Sequence, residues 1–433
     1  MTRRHSQRPH EAPRRRDAAP ALPLDGRGLA ELVLRLVRAI GAAPGEAAPT
    51  MSRLLRHTGG LAMQDGYWAR RWTRAALRHW LAAGRDGLQV AERAVLRAAR
   101  LDAELRAMPY EVPFLFLEQR AALPAGRAAA WLAETLDPHL TAGVSAELWS
   151  MVEASERAAF FAASLAEPPL TVRLSPVAVE RDRALASLAS EGFRATPNPW
   201  AHTAFDLVGQ RHLFETEAFL SGWIEIQDAS SQRLALSVAA MAPKKTRLLD
   251  LCAGRGGKSL AIAAARPDLQ VVATDLSAGR LSELPGRAAR TGLPNLTIQP
   301  EIAAQGLGRT APFDLVLVDA PCTGFGTLRR HPELRLREAA SALREAVAAQ
   351  VEVLRSGWEK TAPGGLLVYA TCSVLRAENE AQVAAFLAAH PGASVEVIPS
   401  LEPMPAVTGG GALRFWPQHH GTDGFYFAAI RRG

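Results

Sequence analysis

Cysteine is scarce in this chain of 433 residues: only Cys252, Cys322 and Cys372 occur, all in the second half. Their spacing matches neither zinc motifs nor redox CxxC motifs, and it gives no disulfide framework. A reducing cytoplasm is therefore the expected setting. Lysine is scarcer than the charge suggests, with Lys244, Lys245, Lys258 and Lys360 the only four among 50 basic side chains. A lysine standing out from so much arginine carries some positional information. Long apolar runs are missing as well. The richest, LAELVLRLVRAIGAA from Leu29, is broken by charge, so no membrane-spanning helix is expected. The basic amino terminus lacks an uninterrupted apolar core with a cleavage site, so no signal peptide is expected either.

Two nucleotide signatures are also absent from the glycine-rich stretch LLDLCAGRGGKSLAIA, Leu248 to Ala263. A Walker A loop would need glycine where Cys252 stands, and a GxGxxG turn would need it where Ser259 stands. Those gaps argue against ATP and NAD. What is present is a net charge of +7 and a pI near 9.8, which favour RNA or another polyanion as partner. The length points to two or three domains.

Residues 1–24 mix arginine with proline without periodicity and read as a disordered basic tail. Residues 25–144 carry apolar residues at helical spacing (Leu29, Leu32, Val33, Leu36, then Leu54, Leu61, Trp68, Trp72) and read as an α-helical domain. Arg70, Arg71, Arg74 and Arg78 lie on that spacing, as a solvated face or an RNA-facing stripe. Residues 145–225 read as a small α+β subdomain, with a helix over Val179 to Glu191 and strands in TAFDLVG and WIEIQD. From 226 to 433 strands and helices alternate, which specifies a doubly wound α/β domain of the Rossmann-like type.

The stretch FDLVLVDAPCTGFGTLRRHPELRLR, Phe313 to Arg337, organises this last domain. A continuous apolar strand ends at Asp319, and Cys322 follows Ala320-Pro321 at the strand end, where open α/β sheets place their chemistry. Gly324 and Gly326 then lead into Arg329, Arg330, His331, Glu333, Arg335 and Arg337, which read as a flexible cationic loop suited to a polyanion. Cys372 ends a second apolar strand, between Thr371 and Ser373, with Glu378-Asn379-Glu380 opening the next helix. In the glycine-rich turn, Gly254, Gly256 and Gly257 allow a ligand close to the backbone before a helix. Asp275 ends the following strand, where an acid can bind both hydroxyls of a ribose. A glycine turn and strand-end acid without phosphate signatures point to a nucleoside cofactor lacking phosphate, S-adenosyl-L-methionine.

With these motifs in order, the chain resembles the Nop/Sun RNA cytosine-C5 methyltransferases, most closely the bacterial RsmB-like branch. The resemblance covers about residues 165–433 and rests on IQDASSQ (226–232), the glycine-rich turn, DAPCTGFGTLRRHPE, YATCS followed by ENE, and DGFYFA (423–428). It implies a Rossmann-like methyltransferase domain, preceded by the α+β subdomain and an α-helical domain similar to NusB. It implies that Cys372 is the nucleophile that adds to C6 of cytosine, that Asp319 binds and protonates the base edge, and that Cys322 assists release. For the donor it implies Cys252, Ala253, Gly254, Arg255, Gly256, Gly257 and Lys258, with Asp275, Arg280 and Asp319, and Glu301 as the adenine-reading acid. Arg255 stands where the family usually has proline, and Arg173-Leu174-Ser175 where Arg-x-Asn is usual. The expected substrate is small-subunit ribosomal RNA in a bacterial cytoplasm, acted on by a monomer with no metal and no membrane contact. Two other readings stay open: the same reaction on tRNA, and an RNA-binding ribosome-assembly factor without turnover.

Overall fold

The computed structural model describes residues 144–209, 213–300, 311–399 and 411–433, together with Leu32, Arg35, Leu36, Arg53 and Leu54. The basic tail, the arginine stripe and nearly all of the 25–144 region lie outside the described residues, as does Glu301. Residues 78–87 and 129–433 belong to one compact unit and the remainder of the first 128 residues to another. In the latter, Leu32 and Leu36 are helical and buried.

Helices α1 (Ala146–Met151) and α2 (Arg157–Leu165) open the continuous part. The small sheet follows as β1 (Leu170–Leu174), β2 (Arg194–Pro197), β3 (Ala204–Val208) and β4 (Ile224–Ile226), antiparallel in the order β2-β3-β1-β4. Helix α3 (Ala178–Ser190) covers it. Ala184 and Leu188 of α3 close a core with Val172, Leu174, Leu207 and Ile224. Helices α1 and α2 pack elsewhere: Leu148, Phe160 and Phe161 are buried against Phe325, Leu328, Val374 and Trp416 of the larger domain. Their aromatic face matches that domain, so the sheet-bearing unit proper begins at Leu170.

The larger domain starts with α4 (Ala229–Met241), whose N-cap Asp228 accepts the Ser230 amide at 2.9 Å. Then come β5 (Arg247–Asp250), α5 (Gly257–Ala265), β6 (Gln270–Ala273), α6 (Leu284–Thr291), β7 (Leu296–Ile298) and β8 (Phe313–Asp319). The stretch AGRLSELPGRAAR is broken into a short turn of helix and α6, with Pro285 in the first turn of α6. Next are α7 (Ala339–Lys360), β9 (Thr361–Thr371), α8 (Glu380–Ala389), β10 (Ala393–Glu396), β11 (Leu413–Phe415) and β12 (Phe425–Arg432). The sheet runs β10-β12-β9-β8-β5-β6-β7, with β11 paired to β12. Strands β9 to β7 are mutually parallel, while β12 is antiparallel to β9.

Alternating side chains bury both faces. Leu248, Leu315, Leu317, Val368 and Ala370 pack under α4 and α5, and Leu249, Val316, Val318, Leu367 and Tyr369 pack toward α7 and α8. Strand order reverses between β5 and β8, since β6 and β7 extend one way and β9 the other. The crevice at the carboxyl ends of β5 and β8 is therefore the place for a ligand.

Candidate active site

Register brings the two cysteines together. Asp319 of β8 lies opposite Ala370 of β9 in a parallel pair, so a few residues beyond the strand ends carry Cys322 and Cys372 to one point. Their sulfurs are 3.3 Å apart and both thiols are partly buried. The hydrogen bond with Cys372, then burial, hold the Cys322 thiol well above its ordinary range, so it stays protonated.

Across the crevice, Lys258 from the first turn of α5 reaches Asp319: Nζ to Oδ2 is 2.5 Å. The ammonium also sits 5.0 Å from the centre of the Phe425 ring. Burial by itself would lower the Lys258 pKa, but the charge and hydrogen bond of Asp319 outweigh it and the net shift is upward. Lys258 is thus a fixed cation beside Asp319.

The glycine-rich turn is shaped by backbone that other residues resist: φ is +54° at Gly254 and +81° at Gly256. The Gly254 amide donates to Asp275 Oδ2 at 2.8 Å. Asp275 Oδ1 accepts the Ser277 amide at 2.7 Å and Arg280 Nη2 at 3.0 Å. The acid expected at the second strand end is therefore present, but it also ties the turn to the next segment. Arg255 does not disturb this geometry: its side chain is 68% exposed and pairs with Glu283 at 3.2 Å. Cys252 is partly buried, and desolvation followed by the nearby carboxylates raises its thiol far above its ordinary range.

Three polar residues at this site were given no role by the sequence. Asp250, the last residue of β5, is buried with Oδ2 accepting the Ser259 hydroxyl at 2.6 Å and Oδ1 without a partner. Burial raises its pKa to about 7, with help from Asp319 and Asp275. Thr323 and Ser373 follow the two cysteines and are buried. Only their position next to each cysteine could have drawn attention to them.

The cationic loop is corrected. Arg329 and Arg330 are turned inward onto Asp423 at 3.2 and 2.7 Å, and Arg330 also holds Asp228 at 2.7 Å. Arg335 is buried and donates to the Leu328 and Ser164 carbonyls, both at 2.9 Å. His331 remains 48% exposed. Neighbouring carboxylates and carbonyls absorb the charge that the sequence offers to a polyanion.

The family model for the 16S rRNA methyltransferase RsmB/F matches residues 238–431, which span the glycine turn and both cysteine loops. That part of the chain is similar to the RsmB/F family. Ribosomal RNA small subunit methyltransferase B of Erwinia tasmaniensis is 35% identical to this chain over 272 residues, 61% of this chain and 59% of that protein. The protein of the same name from Pasteurella multocida is 34% identical over 275 residues, again 61% and 59%. The match therefore spans less than two thirds of the length of these relatives. A solved methyltransferase homolog from Pyrococcus horikoshii is 27% identical with a TM-score of 0.58, over 69% of this chain and 99% of that one. Among the described residues, no group of acidic, histidine and cysteine side chains could hold a metal ion. No described helix is long and apolar enough to cross a membrane.

Proposed function

We propose that the chain transfers a methyl group from S-adenosyl-L-methionine to C5 of a cytosine in RNA, with small-subunit ribosomal RNA as substrate, and that it works as a monomer in the bacterial cytoplasm. The observation that carries this reading is the pair of thiols 3.3 Å apart beside a Lys258–Asp319 ion pair of 2.5 Å. The names of the relatives support ribosomal RNA as the target.

The cradle fits this donor. Asp250, Asp275 and Asp319 converge on the turn, each shifting the Cys252 thiol, against Lys258 and Arg280. Asp275 and Asp319 offset the two cations, and Asp250, raised to about 7, adds a partial negative charge that suits a cationic sulfonium. A side chain at Gly254 would meet only Asp275 within 4.0 Å, so its backbone lies open to a ligand. When bound, the donor supplies an electrophilic methyl group. The residues that would hold it are Cys252 to Lys258, Asp275, Arg280 and Asp319.

Cytosine C5 is a weak nucleophile, so a thiolate must first add to C6, which turns the ring into an enamine. Cys372 takes that role, by its match to the nucleophile motif YATCS, with the Cys322 sulfur 3.3 Å away. Asp319 hydrogen-bonds the base edge and helps protonate the ring during addition, with Lys258 as a fixed cation 2.5 Å from its Oδ2. Once water takes the C5 proton, the C–H electron pair forms the C5–C6 double bond and Cys372 leaves as thiolate, with the Cys322 thiol 3.3 Å away to hydrogen-bond it during that release. The base must leave its stack to enter, so single-stranded or remodelled RNA is the substrate form.

The test is bisulfite mapping of RNA from cells with the wild-type chain, a deletion, and Cys372→Ala. Loss of one ribosomal position in both altered strains is the expected result. Loss at a tRNA position would move the substrate to tRNA. No change in any RNA would sink the methyltransferase reading and favour an assembly factor.

A further inference from the structure

Beneath the two cysteines lies a buried carboxylate that neither the motif order nor the proposed chemistry assigns. Glu378 is fully buried. Its Oε1 accepts the Thr323 amide at 2.8 Å and Gln350 Nε2 at 3.0 Å. Its Oε2 accepts the Thr323 hydroxyl at 2.6 Å and the Ser373 hydroxyl in a short contact. Four donors thus fill the four lone-pair directions of one carboxylate, and none is a cation. Thr323 and Ser373 are the residues that follow Cys322 and Cys372. One carboxylate therefore ties the residue after one thiol to the residue after the other.

The surroundings make the tie rigid. The Glu378 carbonyl accepts the Tyr369 hydroxyl at 2.6 Å. Asn379 accepts the Thr371 hydroxyl at 2.6 Å and donates to the Ser373 carbonyl at 3.0 Å. Gln350 of α7 also donates to the Pro321 carbonyl at 3.0 Å, so the helix under the sheet grips the Cys322 loop as well. Burying a carboxylate without a cation is costly, and four hydrogen bonds offset that cost only while both loops hold their places. The structure assigns Glu378 as a positioning residue: it sets the distance between the Cys322 and Cys372 sulfurs. Its effect on turnover rests on the methyl-transfer reading above, but its effect on sulfur spacing does not.

Sulfur spacing can be read directly. Diamide, a diazene oxidant, joins two neighbouring thiols: both S–H bonds break, an S–S bond forms, and the two hydrogens reduce the N=N bond to a hydrazine. Peptide mass analysis of the wild-type protein should find the Cys322–Cys372 disulfide forming quickly, because these sulfurs are 3.3 Å apart, while Cys252, its thiol raised far above the ordinary range, stays free. Glu378→Ala should slow that bond by about tenfold or more and lower kcat by a similar factor with KM for RNA unchanged, because misplacement of about 1 Å can cost about a hundredfold. Glu378→Gln should recover most of both rates, since its amide oxygen can take the two N–H donors while the hydroxyls turn to accept from its amide nitrogen. If Glu378→Ala does not fold, Thr323→Val with Ser373→Ala replaces it, cutting the two hydroxyl ties. An unchanged disulfide rate in a folded Glu378→Ala protein overturns the assignment. So does a glutamine variant as slow as alanine, which would make the charge and not the tie decisive. A slowed disulfide in a protein that methylates no RNA would uphold the positioning role and reject the function reading.

Discussion

At the scale of single residues, the roles proposed for the two thiols differ, and their variants should part company. Cys372→Ala removes the group proposed to add to cytosine and should form no RNA adduct. Cys322→Ala keeps the nucleophile but loses its partner at 3.3 Å, so an RNA–protein adduct should accumulate and survive denaturing electrophoresis. Equal adduct levels in the two variants would refute the assignment. Asp250 gives a pH prediction. Its pKa is raised from 3.8 to about 7, chiefly by burial, with Asp319 and Asp275 adding to the shift and Ser259 and Lys258 opposing it. Between those values the folded chain holds the proton more tightly than the unfolded chain. The stabilisation is full at the low end, falls as pH rises through the interval and is gone above it. Melting curves from about pH 5 to about pH 8 should show Asp250→Asn gaining a few degrees on the wild type, since about 1 kcal/mol moves Tm by roughly 2–4 °C in a domain of this size. Parallel curves would rule this out. The cysteines were legible because each ends an apolar strand. Asp250 was not, because nothing in LLDL separates a strand-end aspartate that faces solvent from one enclosed by a helix start.

At the scale of elements, alternation of strand and helix made the parallel core of the sheet legible, since buried strands are near-continuous apolar runs of known length. The antiparallel placement of β12 beside β9 was not, because FYFAAIRR reads the same in either direction and its pairing is decided by the chain returning past Gly424. That return is tight. A side chain at Gly326 would lie 2.2 Å from the Gly424 carbonyl and 2.7 Å from that of Cys372. The Gly326 amide donates to Cys372 at 3.0 Å and its carbonyl accepts from Gly424 at 2.8 Å. Gly326→Ala must therefore push apart two backbone segments, one of which carries the nucleophile. A loss of about 1–3 kcal/mol is expected from the overpacking. A fall in kcat of about tenfold or more should accompany it, with KM less affected. If denaturant melts and kinetics both match the wild type, the close approach of these three segments is not needed for the site.

At the scale of the whole molecule, the sequence and the structure assign the arginines of the 329–337 loop to opposite tasks. Composition cannot tell an arginine offered to RNA from one folded inward, because both are charged residues in a glycine-rich loop. The carboxylates that claim Arg329 and Arg330 lie about a hundred residues away on either side, at Asp228 and Asp423. Arg330 also donates to the Pro169 carbonyl at 2.9 Å, so one guanidinium joins the lead into the small sheet, the start of α4 and the approach to β12. Burial raises the Asp423 pKa while the arginines lower that of Asp228, so this pair of acids depends on the two cations to remain charged side by side. Removing one partner from such a buried set leaves a charge uncompensated. With Arg330 24% exposed, a loss near the lower end of the usual range is expected, about 3 kcal/mol. An arginine that contacts RNA phosphate behaves otherwise: its removal costs affinity and lowers the slope of log K against log salt by about one. Arg330→Ala should therefore lower Tm clearly while leaving the salt slope of RNA binding at its wild-type value. A variant with wild-type Tm and a reduced slope would return the loop to the RNA surface and would mean that this ion-pair cluster does not hold the three segments together in solution.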